Sequence, residues 1–193
     1  PAHLNFLHIP VQAGDNDILR RMNRRYMIED YLEVIDRIKK KIPRIAIATD
    51  IIVGFCGESE KAFEKTVELY KQIGFDISYT ARYSERSGTA ACNAFEDDVS
   101  DKEKKRRWHV MQKMMEQMTY EKNQKFVGEI VSVLVERYEK SKVTDEMLGF
   151  CYGNSREMKL TRFKGGEEFI GRIVNVRITK ADKWILEGEL AGD

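Results

Sequence analysis

Three polar stretches of the sequence could carry chemistry. The first, His8 to Gly14, includes Gln12, whose amide both donates and accepts hydrogen bonds, and a glycine that permits close backbone approach. The second runs from Asp50 to Glu58, and the third from Tyr79 to Thr89. Each stretch also has a plain structural explanation: an ordinary turn, a hydrogen-bonded core aspartate or a solvated loop.

Asp50 needs an explanation, because it interrupts the apolar run Ile45–Val53. Burial of a carboxylate without a partner is unfavourable. We therefore expect a polar partner for Asp50, either within the core or around a bound ligand. Gly54 and Gly57 would let an adenine or another backbone-bound ligand lie against the following turn, although this glycine spacing occurs in many unrelated turns.

Basic and aromatic residues are interleaved towards the end of the sequence. Rings such as Tyr152 and Phe163 suit stacking on bases, and the neighbouring cations suit phosphates. The candidate RNA-binding residues are Tyr152, Asn154, Arg156, Lys159, Arg162 and Lys164. Because this region is close to neutral overall, we expect its RNA binding to be auxiliary and sensitive to salt.

Composition limits the class of protein. Lys and Arg number 33 against 32 Asp and Glu, which excludes a strongly basic nucleic-acid coat protein. The cysteines, Cys56, Cys92 and Cys151, are odd in number and widely spaced, which favours a reducing cytoplasm over a disulfide scaffold. Their spacing predicts no metal or iron–sulfur site made by this chain. No apolar run approaches the roughly 18 residues of a membrane span, so we expect no membrane partner.

The periodicity of apolar residues changes near residue 125. Before it, the pattern predicts strands at 4–9, 45–53 and 75–83, helices at 15–22, 29–41, 59–73 and 100–124, and a loop at 84–93. After it, short strands are predicted at 130–136, 147–151, 158–162, 170–179 and 184–190. Because the carboxyl ends of parallel strands hold the ligands of α/β folds, the three polar stretches are expected at one edge.

We therefore predict an α/β plus all-β fold. Residues 1–125 would form half of a TIM-like β/α barrel, and residues 126–193 a small five-stranded barrel of the oligonucleotide-binding type. A sheet of three parallel strands has two open edges, and the sequence starts with Pro1 and not with Met. Both features favour a fragment whose missing half lies upstream.

Taken in order, the motifs resemble the radical S-adenosylmethionine methylthiotransferases, and the last part resembles their RNA-binding TRAM domain. The matching motifs are Leu7–Gly14, Ile18–Tyr26, Thr49–Glu58 and Tyr83–Ala91. The His-Ile-Pro-Val-Gln wording is most similar to the tRNA-modifying MiaB type, which adds a methylthio group to carbon 2 of an isopentenylated adenosine beside the anticodon. The branch that acts on threonylcarbamoyl-adenosine stays open. Ala13 and Cys56 stand where the family has Ser and Pro.

The resemblance implies S-adenosylmethionine and 4Fe-4S clusters as cofactors, with the cluster cysteines outside this chain. It implies two partners, tRNA and the N-terminal, cluster-binding half of the same enzyme, and a cytoplasmic location. By the same resemblance, the cofactor-facing residues are Gln12, Asp50, Ile52, Val53, Gly54, Glu58 and Tyr83, and no catalytic residue is assigned. The isolated chain would be inactive. Two other readings are an RNA-binding module without catalytic activity and a TIM-barrel fragment whose β-domain contacts proteins.

Overall fold

The computed structural model describes residues 4–86, 88–140 and 149–192. The chain divides into two compact units, one spanning Leu7–Glu116 and the other formed by Gln117 and the residues after it together with the first few residues. No helix among the described residues combines the length and the apolar character that crossing a membrane requires.

The first unit contains the predicted parallel sheet. Strands β1 (Phe6–His8), β2 (Ala46–Val53) and β3 (Ile77–Arg82) lie in the order β1-β2-β3. β2 and β3 run parallel, with Asp50 opposite Tyr79 and Ile52 opposite Ala81. The central strand β2 is mostly buried, as its apolar sequence predicts.

Helices follow the strands, and local sequence signals define their ends. They are α1 (Asn16–Arg21), α2 (Ile28–Lys41), α3 (Glu60–Ile73), α4 (Ala90–Ala94) and α5 (Asp101–Gln124). Asp15 caps α1, and the Ser59 hydroxyl accepts a hydrogen bond from the amide of Ala62 at 3.2 Å at the start of α3. Gly74 ends α3 with a φ of 67°. The predicted caps are confirmed. α4 overlaps the expected loop at 84–93 and was not predicted, because five residues are too few to show a helical period.

The second unit is the predicted five-stranded barrel. Strands β4 (Ile130–Glu139), β5 (Gly149–Ser155), β6 (Leu160–Gly165), β7 (Ile173–Ala181) and β8 (Leu186–Leu190) close in the order β4-β5-β6-β8-β7. β6 and β8 are parallel, and the other pairs are antiparallel. Closure removes the free edges of a small sheet. The predicted strand at 147–151 begins among residues 141–148, which lie outside the described residues.

Alternation along the strands separates the barrel core from its outer face. Val133, Cys151, Phe163 and Leu186 are each at most 1% exposed and belong to the core. The expectation that Phe163 stacks on bases is therefore wrong, since its ring is buried. The two compact units divide within α5, and the domain boundary at 125/126 stays a prediction.

Candidate functional site

A cavity of about 330 Å³ opens where β2 and β3 end, in the unit Leu7–Glu116. Its lining includes Ile52, Ala81, Tyr83, Ser84, Arg86 and Ala91. Its volume is at the lower end of the range for small-molecule sites. Its lining is mainly apolar and includes a few polar groups. It brings together the predicted residues Ile52 and Tyr83, which are far apart in the sequence. Ser87, in the third polar stretch, lies outside the described residues.

Ile52 and Val53 lie on opposite faces of β2. Ile52 is half-buried and lines the cavity, whereas Val53 is completely buried. Successive side chains of a strand point to opposite faces, so these two residues cannot line the same surface. We therefore keep Ile52, and not Val53, among the residues whose side chains can meet a ligand here.

Gly54 and Glu58 fix the turn that follows β2. The amide of Gly54 donates to Glu58 Oε2 at 2.6 Å, and the same oxygen accepts from Arg107 Nη1 at 2.7 Å. Both charged side chains are at most 5% exposed. Burial raises the pKa of Glu58, while the Gly54 amide and Arg107 favour its ionised form. Glu58 thus holds the turn from inside and does not face the cavity.

The glycines of this turn leave room for side chains of the same unit. A β-carbon on Gly54, where φ is 72°, would lie 2.3 Å from Lys104 Cγ, and one on Gly57 would lie 2.7 Å from Arg21 Cζ. The space that the sequence suggested for an adenine is therefore filled by Lys104 and Arg21. Lys104 also pairs with Asp97.

Gln12 lies next to the carboxyl-terminal half of β2 in an unusual backbone conformation. Its φ is 69°, in the left-handed region that disfavours side chains, and the residue is buried. The backbone amide of Gln12 donates to the backbone carbonyl of Asp50, and the backbone amide of Ile52 donates to the backbone carbonyl of Gln12, each at 2.9 Å. These two bonds hold the strained residue beside the end of β2, where the sequence placed it.

Asp50 has the polar partner that its position requires. His8 Nε2 lies 3.0 Å from Asp50 Oδ1, and the two side chains are 39% and 37% exposed. The His8 ring also lies 5.6 Å from the ring of Tyr79, measured between centroids. Asp50 is therefore not a core aspartate, and it belongs to a polar row across the exposed face of the sheet.

Tyr83 lines the cavity, but its hydroxyl group is buried inside the unit. Burial of the hydroxyl, followed by the neighbouring Cys56 thiol, raises the pKa of Tyr83 to about 12. The phenol therefore stays protonated at neutral pH and keeps its capacity to donate a hydrogen bond.

The barrel carries a second candidate surface on the outer faces of β4, β5 and β6. The guanidinium of Arg137 lies 4.4 Å from the centroid of the Tyr152 ring, and that of Arg162 lies 4.9 Å from the Phe150 ring. These distances are typical of cation–π contacts. We call Arg137, Phe150, Tyr152 and Arg162 the stacked face.

The structure sorts the predicted RNA-binding residues. Tyr152, Asn154, Arg162 and Lys164 alternate with core residues and lie on the outside of β5 and β6, and Arg156 is exposed. Lys159 is 7% exposed and cannot present its ammonium group to RNA without moving, so we remove it from the set.

Sequence reasoning missed Phe150 and Arg137. Phe150 could have been found from the sequence, because it precedes Tyr152 by two residues in β5, and residues two apart lie on the same face of a strand. Arg137 was hidden by an irregularity of β4 between Val135 and Arg137, which shifts the strand register against β5.

Comparison with known proteins agrees with this architecture. Residues 1–70 match the radical SAM superfamily, and residues 124–191 match the TRAM domain. The chain therefore contains one segment similar to the radical SAM superfamily and another similar to the TRAM domain. The resemblance drawn from the motifs is thereby confirmed.

Several similar proteins share the name tRNA-2-methylthio-N(6)-dimethylallyladenosine synthase. The protein of Geobacillus kaustophilus is 42% identical over 97% of this chain, and that of Thermoanaerobacter sp. strain X514 is 43% identical over 95%. The protein of Bacillus licheniformis is 40% identical over 98% of the chain. The chain spans 34%, 38% and 36% of the length of these three relatives, respectively.

Similarity to the radical SAM superfamily implies S-adenosylmethionine and an iron–sulfur cluster. The cluster does not fit the described residues, which contain no group of three or more His, Cys, Asp or Glu side chains able to hold a metal. Cys56 is buried in the turn after β2, Cys92 lies in α4, and Cys151 is buried in the barrel core. The cavity at the end of β2, in contrast, fits a group of adenosyl size.

Proposed function

We propose that this chain is part of a tRNA methylthiotransferase that adds a methylthio group to carbon 2 of N6-dimethylallyladenosine next to the anticodon. One observation supports the proposal above the others: a radical SAM segment and a TRAM domain occur in one chain, and relatives 40–43% identical over nearly its whole length bear that activity in their names. These names favour the dimethylallyl branch over the threonylcarbamoyl branch.

In this proposal, the first unit supplies one wall of the S-adenosylmethionine site. The cofactor would lie at the cavity, against Ile52 and Tyr83. Gln12, Gly54 and Glu58 would shape the adjoining backbone without reaching into that cavity. S-adenosylmethionine and its cluster supply the radical chemistry, and the cluster ligands would come from the N-terminal part of the same enzyme, outside the described residues.

The stacked face is the proposed tRNA contact of the TRAM domain. Two exposed-side aromatic rings, Phe150 and Tyr152, stand beside three cations, Arg137, Arg162 and Lys164. Unpaired bases stack on such rings, and guanidinium planes contact both bases and phosphates. A cytoplasmic location follows from a tRNA substrate and agrees with the free cysteines.

Acidic partners reduce the net charge of this face. Arg137 lies 3.4 Å from Glu139, and Arg162 lies 3.0 Å from Glu187. The hydrogen bonds with Glu187 and then Tyr152 raise the pKa of Arg162. Because each arginine is already paired, stacking is expected to contribute more to RNA affinity than counterion release does.

The RNA contact is tested by fluorescence anisotropy with a labelled anticodon stem-loop. Tyr152→Ala and Phe150→Ala should each weaken binding roughly tenfold, since stacking of a base contributes on the order of 1–3 kcal/mol. Trp184→Ala is the matched control, because Trp184 is 49% exposed and lies outside β4, β5 and β6. Equal losses in all three variants, or no loss in any, would argue against the stacked face.

A second reading is an RNA-binding module without activity of its own. The TRAM match and the stacked face support this reading as well as the first. Both readings require the RNA contact, so only formation of the methylthio product separates them.

A further inference from the structure

The exposed face of the parallel sheet carries a group of side chains that do not line the cavity. His8, Asp50 and Tyr79 form a row across β1, β2 and β3, since Asp50 lies opposite Tyr79 in the register. His8 touches both neighbours, through the 3.0 Å contact with Asp50 and the 5.6 Å ring contact with Tyr79. All three residues belong to the unit Leu7–Glu116, and we call them the polar row.

A contribution to folding stability does not explain why these three side chains are present in the polar row. Its carboxylate–imidazole pair is more than one third exposed on both sides, and such pairs add little to folding. Tyr79 is 57% exposed on the middle of a strand whose neighbours Ser78 and Thr80 are turned the other way and less exposed. Exposed aromatic and polar side chains on a scaffold strand suit ligand contact more than packing.

The chemistry of the polar row matches a purine base. When Nε2 of His8 donates to Asp50, the Nδ1 atom of the neutral ring carries a lone pair and accepts a hydrogen bond. The exocyclic N–H of an N6-substituted adenine is a hydrogen-bond donor that matches this Nδ1 acceptor. The Tyr79 ring offers a flat surface on which the same base can stack. Asp50 then acts by fixing the orientation of His8.

Position links the polar row to the proposed cofactor cavity. Ile52 and Ala81, which line the cavity, each follow a polar-row position by two residues on the same strand face. Two residues along a strand span roughly 7 Å. A base on the polar row would therefore lie beside a cofactor in the cavity, as reaction between the two requires.

We propose that His8 and Tyr79 bind the adenine ring of the target nucleoside, with Asp50 as a positioning residue. This inference rests on the proposed function, and it goes further by assigning the base to a surface distinct from the cofactor cavity. An adenine ring could also come from S-adenosylmethionine, so the experiment needs one arm for each ligand.

The test is NMR titration of the 193-residue chain with ¹⁵N-labelled histidine and labelled tyrosine. One arm adds N6-dimethylallyladenosine, and the other adds S-adenosylmethionine. We expect the nucleoside to shift the His8 and Tyr79 side-chain signals, and Tyr79→Leu and His8→Gln to weaken its binding roughly tenfold. His109→Gln and Tyr120→Leu are matched controls, because both residues are exposed and lie on α5.

Asp50→Asn tests the positioning role with a readout that a merely structural residue would leave unchanged. The ¹⁵N shifts of His8 should report a change in the ratio of its two neutral tautomers, because the acceptor that favours Nε2–H is weakened. Nucleoside affinity should fall in parallel. An unchanged tautomer ratio would overturn the role of Asp50.

The inference is overturned if the wild-type chain does not bind the nucleoside, or if the polar-row variants bind it with unchanged affinity. It is also overturned if these variants lose affinity for S-adenosylmethionine to the same extent as for the nucleoside. Its failure can be told apart from failure of the proposed function. In that case Tyr152→Ala would still weaken binding of the anticodon stem-loop, because Tyr152 belongs to the other compact unit.

Discussion

Individual residues in this chain divide into those that meet a ligand and those that hold the ligand's surroundings in place. Arg107 belongs to the second group. Its Nη1 atom contacts both the carboxylate and the backbone carbonyl of Glu58 at 2.7 Å, and Glu58 in turn holds the amide of Gly54. Loss of one member of such a buried pair leaves the other charge without compensation.

Arg107→Met should therefore destabilise the chain by about 3–5 kcal/mol, measured as the free energy of unfolding in urea. The control is Arg106→Met, one position earlier, whose side chain is 46% exposed while it pairs with Glu60 and Glu103. Exposed pairs contribute at most about 1 kcal/mol. Similar losses in both variants would contradict the role assigned to the buried pair.

The sequence predicted residues of this site only where the signal is local. The polar partner expected for Asp50 is present, but that partner, His8, comes from another strand. Gly54 was expected to leave room for a ligand, because the sequence around it does not show that the side chain of Lys104 fills this space. Lys159 could have been recognised as buried, because it shares strand parity with Thr161 and Phe163.

At the scale of elements, the barrel depends on places where two strands approach closely. A β-carbon on Gly153 of β5 would lie 2.0 Å from the carbonyl oxygen of Leu134 on β4. Real side chains do not fit at that distance, so the neighbouring backbone would have to shift.

Gly153→Ala is expected to cost about 1–3 kcal/mol of stability, as overpacking in a closed structure does, and to lower the melting temperature in a thermal scan. Gly192→Ala serves as the control, because a β-carbon there meets nothing within 4 Å. An unchanged melting temperature for Gly153→Ala would show that β4 and β5 are not held this closely in solution.

Elements with local signals were predicted well. The caps at Asp15 and Ser59 and the stop at Gly74 set α1 and α3 within a residue or two. α4 was missed because it is short. The barrel strands were expected from their β-branched runs, but the parallel pairing of β6 with β8 joins distant segments, and no short-range pattern encodes it.

For the whole molecule, two compact units carry two proposed contacts, one with the cofactor and target base, the other with the rest of the tRNA. The apolar periodicity predicted the division into an α/β part and a β-barrel, because it differs between them. It could not indicate which faces are exposed, since that depends on register. The relatives of that name are much longer, since this chain spans 34% and 38% of the length of two of them. Activity therefore has to be tested in a protein of the longer kind.

The most direct test replaces the matching segment of the Geobacillus kaustophilus synthase with these 193 residues. The hybrid, with its clusters reconstituted, is incubated with S-adenosylmethionine and tRNA carrying N6-dimethylallyladenosine, and the nucleosides are analysed by mass spectrometry. We predict the 2-methylthio product from the hybrid and none from the 193-residue chain alone. A hybrid that holds its clusters, cleaves S-adenosylmethionine and binds the tRNA, yet forms no methylthio nucleoside, would contradict it.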